Sequence, residues 1–249
     1  MSATFTTNRI GCYLSSLSSG GAHSVTIDPA GEWISVNSSF AGVEVVDADT
    51  LTRIRQIPVA VADQAHDVSF SRDGATLYSA GIDSTRIVDV GSVMTADPTL
   101  IATVPNAPTP ERGADGQEVA ISHQSDVSSD GRILVVTDEA GGGLLETGCN
   151  QGPSGKIGGA HFWDVATPST PRKLGTWLYP NPGLLVDPLE PALAATGRAE
   201  RGCTIHVLRN GGNGSGGPGE IAPGFGGVSS LPARQLVAAH YGAGTWWLD

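Results

Sequence analysis

The sequence predicts an all-β fold, a β-propeller of four-stranded antiparallel blades, on three observations. A pattern of His, then Asp-Gly or a close variant, then a terminal Asp recurs four times in phase. Apolar residues alternate with polar ones in short runs, which is the period of strands and not of helices. The 34 Gly and 16 Pro among 249 residues favour turns and deplete helices. A β-sandwich would also give many short strands, but it would not repeat His, Asp-Gly and Asp in register.

The first copy runs from His23 to Asp47 and the second from His66 to Asp89. The third starts at His123, is interrupted by a Gly-rich insert, and ends at Asp164. The fourth starts at His206, is interrupted from Gly211, and ends at Asp249. The whole chain is thus read as one domain, residues 1–249, with repeats at roughly 22–62, 65–105, 118–180 and 202–249.

Each copy opens with a short alternating run after its His, such as Val25 and Ile27 or Val68 and Phe70. A tight turn follows at Pro29-Ala30-Gly31, Asp73-Gly74 and Asp130-Gly131, where Gly tolerates the positive φ of a short hairpin. Second strands are expected at Trp33–Val36, Leu77–Ser79, Ile133–Val136 and Leu236–Ala239. Third strands should end in Asp, at Val43–Asp47, Arg86–Asp89, His161–Asp164 and Thr245–Asp249. Fourth strands are expected at Arg53–Val59, Leu100–Val104 and Lys173–Leu178. Phe5–Leu14 resembles Leu51–Pro58, so residues 1–20 offer a strand that would close the ring on the fourth copy. The competing expectation is that the four copies are a piece of a longer propeller.

These copies resemble the LVIVD-repeat family of bacterial propellers, through Val45-Val46-Asp47, Ile87-Val88-Asp89 and, more loosely, Trp247-Leu248-Asp249. The resemblance covers roughly residues 22–249 without the inserts. It implies a propeller, often exported, whose activity is largely unassigned, and it points to no particular catalytic residue. The first of two functional readings is a non-catalytic protein- or ligand-binding scaffold that presents one face to a partner. Against export, Met1–Gly20 has neither the charged start nor the apolar block of a signal peptide, so either such a signal has been removed or the protein stays inside the cell.

Net charge is −11, and Lys156 and Lys173 are the only lysines, so no basic stripe exists to neutralise nucleic-acid phosphates. No apolar run approaches the ~20 residues of a spanning helix. Of three cysteines, Cys149 and Cys203 sit in loop-like sequence on one expected face and are the pair that could bridge; three unrelated thiols are the plainer reading.

Propeller geometry should gather His23, His66, His123 and His206 at the mouth of the central channel, with Asp138, Glu139 and His240 nearby as further ligands or supporting groups. Converging neutral imidazoles suit Cu, Fe or Zn, so a metal-dependent oxidoreductase is the alternative to a non-catalytic binding propeller. One His per blade is equally what a structural role within each blade predicts. Asp126, Asp130 and Asp138-Glu139 offer the oxygen ligands that Ca²⁺ prefers, although solvated turn carboxylates explain them more simply. The glycine run from Gly211 lacks the helix and Lys-Ser/Thr pair of a phosphate loop, and no nucleophile elbow is present.

Overall fold

The computed structural model describes residues 12–15, 22–38, 41–106, 119, 121–128, 130–138 and 159–178, and the strands at 205–210, 236–240 and 244–248. The fold is an all-β propeller of antiparallel blades, each sheet laid out in simple chain order. Blade one comprises β1 (Ser24–Ile27), β2 (Trp33–Ser38), β3 (Gly42–Asp47) and β4 (Arg53–Ile57). A single helical turn, α1 (Val59–Ala62), leads into blade two, where the sequence had suggested that the strand would run on to Val59. Blade two is β5 (Asp67–Phe70), β6 (Thr76–Gly81), β7 (Ser84–Asp89) and β8 (Thr99–Pro105). Blade three is β9 (Ser122–Val127), β10 (Ile133–Asp138), β11 (Gly159–Asp164) and β12 (Arg172–Leu178). Among the described residues blade four has three strands: β13 (Ile205–Asn210), β14 (Leu236–His240) and β15 (Gly244–Leu248), in that order.

The predicted turns carry the predicted backbone. Gly31, Gly74 and Gly131 have φ of +76°, +73° and +70°, the left-handed region that glycine enters without steric cost. Third strands pair with second strands so that Trp33, Thr76 and Ile133 stand opposite Asp47, Asp89 and Asp164. Those terminal carboxylates close the next turn: Asp47 accepts from the Asp49 and Thr50 amides, Asp89 from Gly91, and Asp164 from Ala166. The repeated Asp is therefore a turn-forming residue.

The core lies between the blades. Trp33, Val43, Val45 and Ile57 of blade one pack against Val68, Phe70, Leu77 and Val88 of blade two, with Trp33 edge-on to Phe70 at 5.0 Å. Tyr78, Ile87 and Val104 of blade two meet Val127, Leu134, Val136 and Trp163 of blade three. The inner strands β1, β5, β9 and β13 touch in succession, so the blades are arrayed side by side around their inner edges. Among the described residues no helix is long and apolar enough to cross a membrane.

Residues 5–11 of the expected closing strand lie outside the described residues. Residues 12–15 are irregular and lie against blade one, where Ser15 Oγ donates to Glu44 at 2.7 Å.

Candidate functional site

In blades one and two the first strand follows a His whose backbone is anchored to the second strand. The His23 amide donates to Asn37 O and the His66 amide to Ala80 O, both at 2.7 Å. His23, His66 and His123 form a leaning stack. The His23 and His66 rings stand 3.9 Å apart and the His66 and His123 rings 4.7 Å apart, tilted by 53° and 56°. Exposure falls along the stack: His23 is exposed, His66 half-buried and His123 buried.

His66 Nδ1 lies 2.9 Å from the His123 carbonyl. A carbonyl only accepts, so Nδ1 carries a proton. This bond crosses from blade two to blade three, whereas a structural histidine had been expected to serve its own blade. Ser24 repeats the arrangement one seam earlier, donating to the His66 carbonyl at 3.0 Å.

Beside the stack, Asp67 is buried between blades one and two. Burial pushes its carboxyl up to about 7, although the Val68 amide and Ser24 hydroxyl favour its charged form.

The same end of blades two and three carries a backbone clasp. Ile82 and Ser122 exchange hydrogen bonds at 3.1 and 2.9 Å, and Asn106 Nδ2 adds one to Ile82 O at 2.8 Å. Ile82 holds φ +56°, which a β-branched residue adopts only when its surroundings enforce it.

Within blade three, Asp138 meets His161 Nε2 at 3.1 Å and accepts from the Gly159 amide at 2.8 Å. The other face of His161 meets Thr176 Oγ1 at 3.1 Å and Lys173 Nζ at 3.3 Å. Asp138 and His161 are fully buried, so no substrate reaches this cluster without displacing the blade.

The His161 position is shared by the repeat, and sequence reasoning missed it. Glu44, Arg86 and His161 each stand three residues before the terminal Asp of their blade. Glu44 receives Arg53 at 3.3 Å; Arg86 binds Thr103 at 3.1 Å and Asp63 at 3.5 Å. The signal was present in the third strands, as Glu-Val-Val-Asp, Arg-Ile-Val-Asp and His-Phe-Trp-Asp. It was hidden because the residue type changes in each copy.

The carboxylates weighed as a Ca²⁺ site are dispersed. Asp130 caps its own turn through Ser128, which holds its carboxyl below the usual range, and Asp126 accepts from the adjacent Val127 amide. Among the described residues no group of three or more His, Cys, Asp or Glu is placed to hold a metal ion. The side chains of His206 and His240, and all of Glu139, Cys149 and Cys203, lie outside the described residues. Cys12 is exposed and unbridged.

No protein-family model matches the chain. No curated protein matches it either. Solved structures do. A protein from Lactobacillus plantarum is 12% identical with a TM-score of 0.44, over 63% of this chain and 41% of that one. A eukaryotic initiation factor is 16% identical with a TM-score of 0.43, over 69% and 35%. A β-propeller domain from Myceliophteria thermophila is 11% identical with a TM-score of 0.42, over 64% and 44%. The chain spans less than half the length of each of these structures. Such likeness bears on fold alone, and the assignment as a propeller rests on the strand order and the packing between blades.

Proposed function

We propose that this chain is a non-catalytic binding propeller of the LVIVD-repeat type, outside the cytoplasm, which receives a protein or small-molecule partner at the histidine end of its blades. The observation that carries this reading is how the imidazoles are used. His66 gives its Nδ1 proton to the next blade, and its ring lies against those of His23 and His123. Two imidazoles on one tetrahedral ion stand roughly 5 Å apart between ring centres, wider than the His23–His66 pair. Histidines employed this way fix the seams between blades. His23, the exposed member, is the ring that a partner meets first. The net charge of −11 disfavours a polyanionic partner.

The reading is tested by metal analysis of the purified protein and of His66→Ala. We expect no stoichiometric Cu, Fe or Zn in either, and a variant less stable by ~1–3 kcal/mol, the effect of losing one buried hydrogen bond. One metal ion per chain, lost in His66→Ala while the metal-free proteins melt alike, would establish the metalloenzyme instead.

A further inference from the structure

We propose that Ser24 is a proton-controlled clasp between blades one and two: its hydroxyl holds the His66 carbonyl while Asp67 carries a proton, and turns to Asp67 when that proton leaves. The inference concerns the seam itself and stands whether or not the histidine end receives a partner.

The first observation is one hydroxyl among three partners. Ser24 Oγ lies 3.0 Å from His66 O, 3.3 Å from Asp67 Oδ1 and 2.9 Å from Asn37 Nδ2. A serine hydroxyl has one proton to give and two lone pairs to accept with. Asn37 Nδ2 only donates, so it takes one lone pair. His66 O only accepts, so it competes with an ionised Asp67 for the single proton. A protonated Asp67 removes that competition. It donates to the second lone pair, and the Ser24 proton stays on His66 O.

The second observation is a shortage of donors in this seam. Among the described residues the donors to Asp67 are the Val68 amide and Ser24, and Asn37 Oδ1, also buried, has no donor. Of the elements packed on β5, β1, β2 and β6 carry no charged residue, and β9 carries His123 and Asp126. His23 and His66 stand just ahead of β1 and β5. The Val68 amide is fixed by the backbone and already bonded, so Ser24 is the donor that can turn to a new charge. Burial sets that change near neutral pH, because it raises the Asp67 carboxyl to about 7.

The third observation is what the clasp holds. Further along the same two strands, Thr26 Oγ1 donates to Val68 O at 3.3 Å. Neither of its partners titrates, so this tie stays closed when Ser24 changes acceptor. His66, in contrast, sits between His23 and His123 in the stack and gives its Nδ1 proton to His123 O. Releasing the His66 carbonyl therefore loosens the histidine end and leaves the deeper seam shut.

The test follows Asp67 ¹³Cγ and His66 ¹³C′ by NMR from pH 5 to pH 9 in the full chain. His66 ¹³Cε1 in the same spectra marks where its own ring titrates. In the wild type we expect His66 ¹³C′ to move with the Asp67 midpoint, near pH 7. In Ser24→Ala the Asp67 midpoint should rise by about 1–2 pH units, the effect of losing one hydrogen bond to a charged group. In Ser24→Ala and in Asp67→Asn, His66 ¹³C′ should follow its ring alone. If it follows its ring alone in the wild type, or still follows Asp67 in Ser24→Ala, Ser24 is not a clasp. An Asp67 that does not titrate between pH 5 and pH 9 would overturn the proposal as well.

Discussion

At the Asp-Gly end of the blades the hairpin-turn carboxylates are satisfied within their own turns. Ser71 and Asp73 bond each other, as do Ser128 and Asp130, and Asp28 accepts from the Ala30, Glu32 and Trp33 amides. At the histidine end the bonds cross from blade to blade or tie together distant strands: His66 to His123, Ser24 to His66, and Asp63 to Arg86. The first end is a local motif copied with little change. The second is a set of long-range contacts in which each blade found its own partners. Polar chemistry at the turns should therefore contribute similar small amounts in every blade, and at the histidine end large and unequal ones.

The largest effect is expected at the buried pair of blade three. His161→Leu leaves Asp138 buried without its imidazole, and we expect a loss of ~3–5 kcal/mol in chemical denaturation. A loss below ~1 kcal/mol would show that this end is no more demanding than the turns.

The next effect depends on pH. The raised carboxyl of Asp67 binds a proton in the folded state that the unfolded chain releases near pH 4. Its stabilising contribution is full below about pH 4 and is lost as pH rises through about 7. Asp67→Asn keeps the acceptor for the Val68 amide and removes the charge. Relative to wild type it should gain up to about 4 kcal/mol at pH 8 and little or nothing at pH 4, read from parallel denaturation curves. Equal effects at both pH values would place the Asp67 carboxyl in water.

The smallest effects should be the most uniform. Gly31 and Gly131 have left-handed φ and open space where a Cβ would go, so alanine meets only backbone strain. Gly31→Ala and Gly131→Ala should each reduce stability by about 1 kcal/mol and agree within experimental error. Gly42 marks the contrast: its φ is +82° and an added Cβ would collide with the Ile57 carbonyl, so Gly42→Ala should lose clearly more. Equal losses at all three glycines would remove the distinction between a free turn and a packed one.

This contrast also explains what was legible in the sequence. The Gly31, Gly74 and Gly131 turns and the terminal Asp of each blade could be read because their physics is complete within five residues. Strand order within the first three blades followed from that spacing. The position held by Glu44, Arg86 and His161 was not recognised, because its partners lie on other elements and each copy solved the burial of a polar group differently. The link between Asp138 and His161 was not legible for a related reason: a long insert separates the two in the sequence, and only the pairing of β10 with β11 brings them together.

The central claim is that the histidines bind the blades to one another, and the tautomer of His66 tests it most directly. Two-bond ¹H–¹⁵N correlation spectra of the imidazoles at pH 8 report which nitrogen carries the proton. The account predicts protonated Nδ1 in His66, held by His123 O and unchanged when Zn²⁺ is added. A proton on Nε2, or a spectrum that shifts to a metal-bound nitrogen with one equivalent of Zn²⁺, would contradict it.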